Sequence, residues 1–183
     1  MQNKLMMKLA IGSEAIFFLA FILGYLHFWD QGNFQLQAST QLSASKSALY
    51  TGLLILSSVT FIVAEKTFNE RKYNRSLWWM LCTILLGVIF LGGQGIEYYE
   101  LIQHNISLST GVFGTAFFAL TGFHGLHVII GLIIMIYLCW LIKYDYPGKQ
   151  NSTIISTAGI YWHFVDIVWI CVFTTIYLLP FLI

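Results

Sequence analysis

The chain has 183 residues, of which 58% are hydrophobic and 9% charged, and its net charge is +1. An average soluble domain carries roughly 25% charged residues, so the composition describes an integral membrane protein. It gives no bulk charge with which to hold nucleic acid or an acidic partner. Cys82, Cys139 and Cys171 all fall inside apolar runs and form no C-x-x-C pair; they read as small buried hydrophobes, which excludes a disulfide framework or a cysteine metal site.

Five apolar runs, at about 9–29, 48–64, 77–96, 111–142 and 153–183, approach or exceed the ~20 residues that a membrane-spanning helix needs. The expected architecture is therefore all-α, with five transmembrane helices in one bundle and a single domain over residues 1–183. Lys4 and Lys8 precede the first run in the manner of a signal peptide. The run is longer than a signal core, contains Glu14 and lacks a clear small-x-small cleavage site, so it reads as a mature helix. Of the nine basic residues, Lys4, Lys8, Lys66, Arg71, Lys72, Arg75, Lys143 and Lys149 share one side and Lys46 stands alone on the other. The positive-inside rule then predicts a cytoplasmic N-terminus and a periplasmic C-terminus. The loop 30–45 is rich in Gln, Ser and Thr, the loop 65–76 is highly charged, and Tyr146-Pro147-Gly148 predicts a turn.

Within the first run Glu14 lies about one and a half turns from the cytoplasmic end, with Phe18, Phe21 and Tyr25 on its face. Two readings stay open: an acid satisfied by Ser13 or by a neighbouring helix, and an acid that takes part in proton movement. The third run places Thr83, Gly87, Phe90, Gln94 and Glu97 on one face, with Glu100 three residues on. Two acids at a helix C-terminus oppose the macrodipole and call for partners. The same residue types could form a paired-carboxylate site, but a packing or inter-subunit contact is favoured because no convergent base accompanies them.

The fourth run holds Gly111, Gly114, Gly122, Gly125 and Gly131. Glycine at this density permits close backbone approach in a membrane, where packing drives helix association. His124 and His127 fall on one stripe with Gly131. In the fifth run His163 and Asp166 are three apart, hence neighbours on one face, and the seam continues through Ser156 and Gly159 on one side and Ile170, Thr174 and Tyr177 on the other. A central Asp costs about 2.5–3.5 kcal/mol on insertion scales, so this face is expected to meet protein or water. His27 and His104 fall near the outer surface, which leaves three histidines at mid-depth. A haem or metal site needs ligands facing one point; a hydrogen-bonded cluster of His124, His127, His163 and Asp166, or of these histidines with acids of other helices, is expected instead.

Gly122-Phe123-His124-Gly125-Leu126-His127-Val128-Ile129-Ile130-Gly131 and Tyr161-Trp162-His163-Phe164-Val165-Asp166-Ile167-Val168-Trp169, with Ser13-Glu14 and Glu97-Tyr98-Tyr99-Glu100 in the same order, resemble the signatures of subunit III of the haem-copper respiratory oxidases, in a short five-helix bacterial form. The resemblance covers nearly the whole chain from residue 9. It implies an accessory subunit of a proton-translocating oxygen reductase in the bacterial inner membrane. Such a subunit carries no cofactor of its own, and haem and copper sit in the partner subunits. Glu14 corresponds to the family's buried glutamate; His124, His127, His163, Asp166, Trp169 and Gly125 fall in its helix-packing signatures; Glu97 and Glu100 match its acidic pair.

The implied partners are subunit I, subunit II, a small subunit IV, membrane lipids and, at a further remove, a respiratory supercomplex. Long members of the family begin with two more helices that form a lipid-filled cleft, so structural phospholipid is carried over only if another subunit supplies that wall. A cytochrome c oxidase is favoured over a quinol oxidase, with the nitric oxide reductase accessory protein as a more distant alternative. A small proton channel built on Glu14 and the histidines, and a cytochrome b-like protein, are the readings from other classes.

Overall fold

The five apolar runs become five helices, and most of them outlast the run that announces them. A computed structural model describes residues 2–30, 44–108, 111–144 and 149–179. It contains α1 (Gln2–Asp30), α2 (Ala44–Asn69), α3 (Tyr73–Gln103), α4 (Val112–Tyr144) and α5 (Lys149–Phe173), the last continuing into a π-helical turn, Thr174–Leu178. No strand occurs among the described residues, and all five helices are long and apolar enough to cross a membrane. The 31 residues of α3 make a rod about 46 Å long, well beyond a hydrocarbon core of ~30 Å. Hydropathy senses only the part inside the slab. The charged turns outside it go on making backbone hydrogen bonds.

The charged stretch 65–76, expected as a loop, is accordingly reduced to three residues between α2 and α3. Arg71 closes α2 in the left-handed region at φ 62°. Its N–H donates to Phe68 O and the Lys72 N–H donates to Thr67 O, which satisfies two otherwise free carbonyls of the helix end. Asn105 ends α3 in the same way at φ 59°, with the Ile106 N–H on Leu101 O and both of those side chains buried. The expected loop over 30–45, the Tyr146-Pro147-Gly148 turn and the end of the last run at 180–183 lie largely outside the described residues.

The short connection makes α2 and α3 a hairpin, and these two form the most extensive pairing. α5 packs on α1, α2 and α4 and is the centre of the bundle. Its Trp162 is buried and donates its indole N–H to Ser57 Oγ of α2 at 3.1 Å. Two glycines make room for the ring. A Cβ on Gly87 of α3 would lie 3.1 Å from Trp162, and one on Gly131 of α4 would lie 2.7 Å from it. Gly159 of α5 admits Phe61 and Gly93 of α3 admits Tyr50 by the same device, with Cβ clearances of 2.8 and 2.6 Å. The helices α3 and α4 can therefore close on the indole only where they carry no side chain.

Three expectations are corrected. Cys82 and Cys171 are exposed and Cys139 is half-buried, because they sit on the outward sides of their helices. On α5 the inward line runs through Ile155, Ala158, Trp162, Val165, Asp166, Trp169, Val172 and Phe173, while Ile170 and Thr174 face outward. Tyr177 rejoins the interior within the π turn. His124 and His127 turn to different neighbours, as the site geometry shows.

Gly131→Val should expel the Trp162 indole and destabilise the bundle by about 1–3 kcal/mol, the usual cost of overpacking. Thermal unfolding of the protein in detergent measures this. Adding Trp162→Phe to Gly131→Val should recover part of the loss.

Candidate functional site

Among the described residues, acidic side chains inside the bundle meet partners from other segments at three places. At the end of α3, Glu97 accepts from Ser47 Oγ of α2 at 3.0 Å and from the Tyr177 hydroxyl of the π turn at 2.6 Å. Glu100, one turn on, pairs with Lys46 at 2.6 Å. The two acids at the C-terminus of α3 thus have their partners, but through separate contacts. The Lys46 pair is well exposed and contributes little in water. The Glu97 contacts join three segments.

The second place lies between α2 and α5. Ser58 donates to Asp166 Oδ2 and stands 2.7 Å from His163 Nδ1. A hydroxyl has one proton to give, so with that proton on Asp166 the His163 ring donates from Nδ1 to Ser58 Oγ. The chain His163 to Ser58 to Asp166 orders all three. It is not a nucleophile relay, since the acid holds the hydroxyl and not the imidazole. Two turns of α2 toward its other end, Thr51 Oγ1 accepts from Trp169 Nε1 at 2.9 Å.

The third place lies between α1 and α4. His127 Nδ1 donates to Phe123 O at 2.7 Å, and its Nε2 is 3.2 Å from Glu14 Oε2. With Nδ1 occupied as a donor, a hydrogen bond between Nε2 and Glu14 requires a proton on one of those two atoms. The Glu14 side chain is 42% exposed and that of His127 is 13% exposed. Ser13 makes no bond to this carboxyl; its hydroxyl donates to Ala10 O.

His124 stands apart from all of these. It is fully buried, edge-on to Phe90 at 5.9 Å and 4.7 Å from the Trp169 ring, and neither ring nitrogen has a hydrogen-bond partner. The expected single cluster is thus dispersed: His163 and Asp166 share Ser58, His127 goes with Glu14, and His124 sits among aromatic rings. The reason is angular. His124 and His127 are three residues apart, yet α4 is wedged between α3 and α1, so a modest rotation sends one to each. Gly125 lies beside His124 and faces α3, where a Cβ would meet Gln94 Oε1 at 3.0 Å; Gln94 Nε2 in turn donates to Thr121 O at 2.7 Å. Among the described residues no three His, Cys, Asp or Glu side chains converge on one point.

The sequence reading passed over α2, although it supplies Ser47, Thr51 and Ser58 to these contacts. Their spacing of four and seven was the available signal, a polar stripe at helical period.

A family model described as cytochrome c oxidase subunit III matches residues 2–180. A probable cytochrome c oxidase subunit 3 of Nocardia farcinica is 37% identical over 174 residues, covering 91% of this chain and 83% of that one. The corresponding protein of Mycobacterium leprae is 35% identical over 167 residues, with the same coverage of each. A cytochrome bo(3) ubiquinol oxidase subunit 3 of Pseudomonas aeruginosa is 38% identical over 129 residues, 70% of this chain and 62% of that one.

Removing the Ser58 hydroxyl would leave both His163 Nδ1 and Asp166 Oδ2 without their shared partner. Ser58→Ala should therefore cost about 1–2 kcal/mol of bundle stability, whereas Ser58→Thr, which keeps the hydroxyl, should cost less. Unfolding in detergent of the two variants side by side gives the comparison.

Proposed function

The chain belongs to the cytochrome c oxidase subunit III family and is a multi-pass membrane subunit of a respiratory oxidase, and on that premise we propose that it is the non-catalytic subunit of a proton-pumping complex. In this reading it packs on the haem-copper subunit I, with subunit II and a small subunit IV as further neighbours. It keeps subunit I intact during turnover and supports proton uptake on the cytoplasmic side. Haem and copper belong to the partner subunits, and the N-terminus is cytoplasmic in a bacterial plasma membrane.

The Glu14–His127 pair is the observation that carries this reading. The other membrane-depth acids, Glu97 and Asp166, are taken up by contacts between this chain's own helices. Glu14 has one such contact and remains 42% exposed near the middle of a spanning helix. A carboxyl half-open at that depth needs protein or water outside the chain. α1 suits a docking helix, since Leu9, Ile16, Leu19 and Leu23 on it are all exposed. A carboxyl and an imidazole in contact, opening on a neighbouring subunit, are also suited to passing protons to it.

A quinol oxidase is the second reading, favoured by the likeness to the Pseudomonas aeruginosa protein. The choice of electron donor rests with other subunits, so the role assigned to this chain is the same in both.

Purification in mild detergent should bring down a haem-bearing chain in equal amount. Glu14→Gln should leave that assembly unchanged, but slow oxygen reduction or shorten the active lifetime during turnover several-fold. Wild-type turnover and lifetime in the variant would reduce Glu14 to a packing residue.

A further inference from the structure

At the other side of α4 from Glu14, a groove of about 460 Å³ runs between the beginning of α3 and the end of α4, lined by Asn74, Leu77, Trp78, Leu81, Trp140 and Lys143, with Cys139 beneath. Asn74 also lines a second hollow of about 450 Å³ whose other walls are Arg71, Lys72, Tyr73 and Arg75. A cationic hollow thus opens into an apolar groove that follows the helix axes. We propose that this joined surface binds one anionic phospholipid, with its phosphate among Arg75, Lys143 and Asn74 and its acyl chains along α3 and α4.

Charge complementarity selects the headgroup. One carboxylate, Glu70, faces four cations here and is already committed to Lys72 at 2.7 Å. Arg75 and Lys143 are exposed, and among the described residues neither has a hydrogen bond to, or a carboxylate within 4 Å from, any other residue. Arg71 keeps a left-handed backbone conformation that glycine adopts at lower cost, which puts a guanidinium where the fold alone would favour none.

The groove walls select the rest of the molecule. Trp78 is 71% exposed and Trp140 is 54% exposed, and Tyr137 stacks on Trp140 with ring centroids 6.1 Å apart. Exposed aromatic residues at a helix end mark the headgroup level of a bilayer, and basic pockets between spanning helices at that level suit anionic lipid headgroups. An apolar protein helix in the same groove would cover the aromatic walls but leave Arg75 and Lys143 without a counter-charge. This site requires only that the chain cross a membrane, so it does not depend on which subunits flank it. It also lies away from any cleft that an extra pair of helices before α1 would form.

The chain, purified in mild detergent with whatever subunits accompany it, is stripped by detergent exchange. Retained phosphatidylglycerol and cardiolipin are then counted per chain by native mass spectrometry. Arg75→Gln with Lys143→Gln should lower anionic lipid retention at least about tenfold, leave phosphatidylethanolamine unchanged, and contrast with Lys8→Gln, which should have no effect. In the otherwise native chain, Trp140→p-benzoylphenylalanine should give on illumination an adduct of phospholipid mass. Unchanged retention in the double variant would overturn the proposal. So would an adduct to a protein chain, which would make the groove a subunit contact.

Discussion

Everything in this bundle depends on how closely α3 and α4 can approach the indole of Trp162. In water the hydrophobic effect would press helices together around almost any apolar core. In a bilayer the lipid tails are as apolar as leucine, so association comes from van der Waals contact and a few hydrogen bonds. Gly131 admits the ring where a Cβ would collide with it, Gly87 admits it where a Cβ would press on it at 3.1 Å, and Ser57 fixes its nitrogen. The aromatic ring thus acts as a spacer that sets the distance between α5 and three neighbours at once.

The polar contacts then fix which rotation and register that packing adopts. Ser58 with His163 and Asp166, Thr51 with Trp169, and Ser47 and Tyr177 with Glu97 form a ladder along α2 and its partners. Individual bonds of this kind contribute modestly, about 0.6 kcal/mol on average where they have been measured in a membrane bundle. Their weight lies in the penalty for a wrong register, which would strand an acid in hydrocarbon. Glu14 and His127 are the exception, with a carboxyl left half-open on the outer helix. The interior is thus occupied with holding the helices together, and the open polar group sits on the surface of the bundle.

Much of the architecture was legible in the sequence because a bilayer imposes a long apolar run on every crossing. The five spans and the inward stripe Thr83, Gly87, Phe90, Gln94 and Glu97 on α3 could all be read from period and composition. Helix ends could not, since the charged turns beyond the slab remain helical, as Glu65 and Lys66 do in α2. The partition of the histidines was also hidden. His124 and His127 look alike on a helical wheel, and only the wedge of α4 between α1 and α3 sends one to aromatic rings and the other to Glu14. Ser58 escaped notice because a hydroxyl in an apolar run is common, and its importance comes from two residues more than a hundred positions away.

The central claim is that the membrane-depth histidines and acids bind helices to one another and carry no redox centre. It is tested most directly by the visible absorbance and metal content of this chain after separation from its partner subunits. The account predicts a folded helical protein with no Soret band and no bound iron or copper. A stoichiometric metal or haem that is lost when His124, His127 or His163 is replaced would contradict it.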